Sequence, residues 1–113
     1  MMRLFYIFVI IGFTIQSFGQ NRQLLLREAD YYFDKGDYYA ATYFYEMAYD
    51  KDTGDVILWN KLAMGYRLTF QYELSAQFYH KVYKFDKGLR FPNAQLWQGV
   101  MQKHIQKYDS AIT

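Results

Sequence analysis

Cysteine is absent from this chain of 113 residues. That excludes disulfides, thiolate metal sites, a cysteine nucleophile and a lipid-modified N-terminal cysteine, so the compartment must be read from other signals. Histidine is scarce: His80 and His104 are the only two, on different helical stretches, and they make no pair for metal or proton-transfer chemistry. Proline occurs once, at Pro92. There is no glycine-rich phosphate loop, because Gly36 and Gly54 stand alone in turns. An excess of one charge is missing as well. Thirteen basic and eleven acidic residues leave +2, too little to imply nucleic acid.

Aromatic residues are abundant. They form 22% of the chain, with 13 Tyr and 10 Phe, and hydrophobic residues reach 52%, enough for a packed core and too much for disorder. The N-terminus reads as a secretory signal. Arg3 supplies a positive charge, Leu4 to Ile15 is almost wholly apolar, and Ser17-Phe18-Gly19 offers small residues to a signal peptidase. Twelve helical residues span about 18 Å, short of the roughly 30 Å hydrocarbon core. Cleavage after Gly19 is expected, leaving Gln20 first and residues 20–113 as the folded domain.

Helical periodicity governs the rest of the chain. Asn21–Lys35 carries Leu24, Leu25, Glu28, Ala29 and Tyr32 on one face, and Gly36 is placed to end the helix in a left-handed conformation. Asp37 can cap a second helix, which fades at Asp50, with Tyr38, Ala41, Tyr45 and Ala48 on one side. Asp55 can cap a third helix over Val56–Leu68, with Leu58, Trp59, Leu62, Ala63 and Tyr66 inward. A fourth is expected over Tyr72–Phe85. After the Asp86–Phe91 turn, a fifth covers Asn93–Gln106 with Pro92 in its first turn, and Tyr108 onward resembles the start of a sixth.

The strongest signal is internal repetition. Shifting residues 22–55 by 34 onto 56–89 gives nine identities: Leu24/Leu58, Ala29/Ala63, Tyr32/Tyr66, Tyr38/Tyr72, Phe44/Phe78, Tyr45/Tyr79, Tyr49/Tyr83, Asp52/Asp86 and Gly54/Gly88. A third copy continues at a step of 36, pairing Tyr72 with Tyr108, Ser75 with Ala111 and Ala63 with Gly99. The repeats are 22–55, 56–91 and a partial 92–113. Ala29, Ala41 and Ala63 are expected where helices cross closely. Most tyrosines keep these offsets, which marks them as interhelical packing, not as platforms for bases or sugars.

A helix-turn-helix unit of 34 residues carrying Trp59, Leu62, Ala63, Tyr66, Ser75 and Tyr79 in this order resembles the tetratricopeptide repeat. The first copy departs with Leu25 in place of Trp59 and with Glu28, the third with Gln102 in place of Tyr66. The resemblance implies an all-α, right-handed solenoid of antiparallel helix pairs, about two and a half repeats long. The phrases ADYYFDKGDYYAATYFYEMAY and KLAMGYRLTFQYELSAQFYHKVY are also similar to the N-terminal repeats of Bacteroidota cell-envelope proteins. In that group such repeats precede β-propeller and OmpA-like peptidoglycan-binding segments, and some members serve type IX secretion and gliding. A periplasmic or outer-membrane-associated location is implied.

Matching to the family also implies a concave surface on the first helix of each pair. Its positions are Gln23, Leu26, Asp30, Phe33 and Asp34 in the first copy. The second gives Ile57, Asn60, Met64, Arg67 and Leu68, and the third Asn93, Leu96, Val100, Lys103 and His104. Apolar residues mixed with a few charges suit an extended or helical segment of another protein. Repeats that clamp a C-terminal carboxylate use lysine and asparagine where this chain has Leu26 and Asp30, so that recognition is not implied.

No catalytic, metal or cofactor site emerges. Asp30 and Asp34 stand one helical turn apart, a spacing commoner in a solvated acidic face than in a metal pair, and Ser75 and Ser110 fill small packing slots. The expected function is a non-catalytic protein-interaction scaffold. The alternatives are an accessory module of a periplasmic enzyme or a carbohydrate-capture protein. The third unit stops soon after its second helix begins, so an incomplete array is expected, with Leu96, Trp97, Val100 and Met101 poorly covered and self-association through that end.

Overall fold

The computed structural model describes residues 21–112, with side chains through residue 109. The signal segment inferred for residues 1–19 lies outside them. Among the described residues the fold is all-helical, with five helices and no strand. Helix α1 covers 21–34, α2 Tyr38–Lys51, α3 Val56–Leu68, α4 Tyr72–Asp86 and α5 Ala94–Ile112. No described helix is long and apolar enough to cross a membrane.

Local chemistry sets the turns. At the end of α1, Gly36 adopts φ +83°, the Asp37 amide donates to Tyr32 O and the Gly36 amide to Phe33 O, which closes the last turn. Asp37 then caps α2 by accepting from the Ala40 amide at 3.1 Å. Asp55 does the same for α3, accepting from Ile57 and Leu58. Its carboxylate also meets Arg22 of α1 at 2.7 Å. The turn after α3 repeats the first with a different residue. Phe70, 34 positions after Gly36, takes φ +65°, and the Gln71 amide donates to Tyr66 O.

Helix α3 is the centre of the molecule, because both cores use it. On one side Leu58, Leu62 and Tyr66 join Leu25, Ala29, Ala41, Tyr45 and Ala48 of α1 and α2. On the other, Val56, Trp59 and Ala63 join Ala76, Tyr79 and Val82 of α4 and Ala94 and Met101 of α5. The expected crossings are tight: Ala29, Ala41 and Ala63 are wholly buried, and Ser75 Oγ reaches the Ala63 carbonyl at 2.8 Å. Equivalent ring pairs recur in the two units. Tyr32 stacks on Phe44 at 5.6 Å, and Tyr66 meets Phe78 at 5.8 Å.

Four expectations require correction. Leu24 and Glu28 are exposed, whereas Leu26 packs against the first core. Leu58, the partner of Leu24 in the repeat, buries itself against α1 and α2. Leu24, 56% exposed, has no such cover among the described residues. Pro92 is not in the first turn of α5 but at the second position of a β-turn closed by the Ala94 amide and Phe91 O. The sixth helix does not form, and α5 continues unbroken through Tyr108. No glycine or proline interrupts residues 100–112, and Gln106, the counterpart of Phe70, stays helical. Finally, Met101 is buried and Trp97 and Val100 are half-buried; among the four residues expected to lack cover only Leu96 is open, at 64% exposure.

The step of 36 residues into α5 has a structural counterpart. It carries Leu58 to Ala94 and Gly65 to Met101, all four buried. Gly65 faces Thr42 of α2. Met101 shares the second core with Ala76, which stands 34 residues after Thr42.

Candidate functional site

Helices α1, α3 and α5 present one side each to a common groove, and the connection between α4 and α5 forms an additional wall. Two cavities occupy it. One, of about 380 Å³, is lined by Asp30, Phe33, Asp34, Tyr45, Ile57, Asn60, Lys61, Met64 and Phe91. The other, of about 290 Å³, is lined by Arg67, Tyr79, Arg90, Pro92, Asn93, Ala94 and Trp97 and shares Asn60, Met64 and Phe91 with the first. The shared residues make them one continuous depression.

Eight of the expected positions therefore come together: Asp30, Phe33, Asp34, Ile57, Asn60, Met64 and Arg67, and Asn93 from the third copy. The others line neither cavity. Gln23 is exposed near the start of α1, Leu26 packs on the first core, and Leu68 is half-buried at the end of α3. Val100 packs against the second core, and Leu96 and Lys103 are exposed. His104 stacks on Tyr72 with ring centroids 4.7 Å apart, against α4.

The groove also contains residues that helix matching missed. Phe91, Pro92 and Arg90 belong to the connection, and periodicity is silent about a loop. Their placement rests on Asp86, whose buried carboxylate accepts from the Arg90 and Phe91 amides at 2.8 and 2.9 Å. The Phe91 amide foremost, with Arg90, holds this carboxyl below the usual range, against the opposing effect of burial. Lys61 of α3 was outside the matched positions too, and with it Trp97, to which the 36-residue step carries Lys61.

Charge is distributed unevenly. At the α1 end, Lys61 bonds Asp30 at 2.8 Å, and the Tyr45 hydroxyl donates to the same carboxylate. Burial, together with Asp30 and Asp34, pushes the Tyr45 phenol well above its ordinary pKa. Asp34 is exposed and forms no ion pair among the described residues. At the α5 end, Arg67 Nε donates to the Tyr79 hydroxyl at 3.1 Å, and its guanidinium lies 3.8 Å over the Trp97 ring. Arg90 pairs with Asp86. Between the two ends the Asn60 amide donates to the Met64 sulfur at 3.6 Å.

No protein-family profile and no curated protein matches the chain. The chemical reading thus rests on the groove itself. Among the described residues no three His, Cys, Asp or Glu side chains gather where they could hold a metal ion. Asp30 is already engaged by Lys61 and Tyr45, and exposed His80 contacts Gln98 at 3.0 Å on the far side of α4. What the groove offers is an apolar floor of Phe33, Ile57, Met64 and Phe91, the Asn60 amide and separated charges.

Proposed function

We propose that the chain is a non-catalytic interaction module of the tetratricopeptide type, whose helix pairs stack as a right-handed solenoid. Its groove holds a segment of another protein. The observation that carries this reading is the convergence of Asp30, Phe33, Asp34, Ile57, Asn60, Met64 and Arg67, from the first helices of two repeats, on one depression. Apolar surface there can receive side chains, and the Asn60 amide can pair with a backbone peptide unit of an extended segment. Export to the bacterial cell envelope belongs to the same proposal and rests on the Arg3, Leu4–Ile15 and Ser17-Phe18-Gly19 pattern.

Site-specific photo-crosslinking in the native host tests the reading. A crosslinking residue at Met64 should capture a defined protein that the same residue at Tyr43, exposed on α2, does not. Met64→Lys with the crosslinker at Ile57 should abolish the product. Equal capture from Tyr43 and Met64 would overturn the groove as the binding surface. The mass of the mature protein, starting at Gln20 or at Met1, separately tests export.

A further inference from the structure

We infer that the segment bound in the groove is extended and carries an acidic side chain for Arg67 and a basic one for Asp34, about three residues apart; this rests on the groove reading above. Arg67 is held before any ligand arrives. The Tyr79 hydroxyl accepts a hydrogen bond from its Nε–H, and the Trp97 ring supports the face of the guanidinium. Both contacts fix the plane yet use only one of five N–H donors. The side chain is half-buried at a cavity and meets no carboxylate among the described residues. An arginine immobilised in this way has already given up the rotamer entropy that binding would otherwise cost.

The remaining charges settle the polarity. Asp30 is neutralised by Lys61 and Arg90 by Asp86. Asp34 is left as the surplus anion at the α1 end, and Arg67 as the surplus cation at the α5 end. Asp34 lines the first cavity and Arg67 the second, which meet at Asn60, Met64 and Phe91, and the 34-residue step takes Asp34 to Leu68, next to Arg67. They belong to neighbouring helices, which pack about 8–10 Å apart, and an extended chain advances about 3.3 Å per residue. About three residues therefore bridge them, with an apolar side chain between to meet Met64 and Phe91. A side-chain carboxylate is the anion assigned here, within a segment that continues past both ends of the groove.

The test uses the full chain and a library of short peptides, blocked at both ends so that only side chains are charged. Each has a Leu-containing centre flanked by Lys, Glu or Gln in all combinations, read by fluorescence anisotropy. Peptides with Lys and Glu three residues apart should bind about tenfold tighter than those with Gln in place of Glu. Arg67→Gln should erase that difference, and Arg67→Glu should transfer the preference to peptides with Lys at both positions. The peptide series on the unaltered chain decides the matter even if a variant folds poorly. Equal affinity for neutral and mixed-charge peptides would overturn this inference and leave the groove reading standing. Failure of every peptide to bind would count against the groove reading itself and remove this inference with it.

Discussion

Gly65 and Thr42 meet so closely at the crossing of α2 and α3 that a Cβ on Gly65 would lie 2.3 Å from Thr42 Oγ1. Thr42 is buried, and its hydroxyl donates to the Tyr38 carbonyl at 2.7 Å, so it has little room to withdraw. Overpacking should dominate the gain in helix propensity. Gly65→Ala is expected to cost about 1–3 kcal/mol, read as a lower urea midpoint, and Thr42→Ala in the same chain should restore part of it. An unchanged midpoint for Gly65→Ala would mean that the crossing is looser than these distances imply.

Phe70 occupies the left-handed position that glycine fills in the first unit. A Cβ there costs about 1–2 kcal/mol, and the ring, 70% exposed, recovers little by burial. Phe70→Gly should therefore stabilise by up to about 1 kcal/mol, the remainder being lost to the freer unfolded chain. Phe70→Ala keeps the Cβ and should not stabilise. Thermal melts of the two variants that coincide would refute this account.

Asp30 serves two donors of unequal importance. Its bond with Lys61 is partly exposed, the two side chains being 47% and 35% accessible, and such pairs contribute about 0–1 kcal/mol. Tyr45 differs, since its ring is buried and its hydroxyl depends on Asp30. Lys61→Met should leave stability almost unchanged, whereas Asp30→Ala should cost about 1 kcal/mol or more. Equal losses in chemical denaturation would show that the ion pair matters more than the phenol.

Alkali should unfold the protein through its tyrosines. Burial raises the phenols of Tyr45, Tyr66 and Tyr79 above their ordinary pKa near 10, with Asp30 adding to it for Tyr45 and Glu46 for Tyr66, and with Arg67 opposing it for Tyr79. The unfolded chain then holds fewer protons than the folded one above pH 10. Stability is full below that value and falls as pH rises, by up to about 1.4 kcal/mol per unit for each phenol. Stability measured from pH 8 upward should show this slope, and Tyr66→Phe should reduce it. A flat profile would contradict the burial. In acid the sign is opposite. Burial tends to raise the Asp55 carboxyl, but Arg22 and the Ile57 and Leu58 amides prevail and lower it. Its contribution is present above about pH 4 and is lost as pH falls further.

Periodicity made the first four helices legible, because small and aromatic residues at helical spacing have few other uses. Ala29, Ala41, Ala63, Tyr45 and Tyr79 are buried as that pattern implies. Repetition was a weaker guide to environment. Leu24 and Leu58 are identical, yet one is 56% exposed and the other 1%, since burial depends on the neighbouring helix and not on the residue. The end of α5 departs from the repeat for a related reason. A turn needs a residue that adopts it, and matching Tyr108 to Tyr72 supplied the next helix without the break before it. In the groove, helix matching found the lining residues of α1 and, Lys61 apart, those of α3, but not Phe91 or Pro92, because a connection has no period. Phe70 shows the same limit at a single residue, for nothing in its chemistry announces a left-handed backbone.

Asp86 gives the molecule a division of labour. Its carboxylate arranges the connection that supplies Phe91 and Pro92 to the groove, yet it lines neither cavity there. Under the proposed function, partner choice would then be governed in part by a side chain that the partner need never meet. A substitution there could reshape the docking surface while α1 to α4 kept their packing, so binding selectivity and fold integrity can vary separately in this chain.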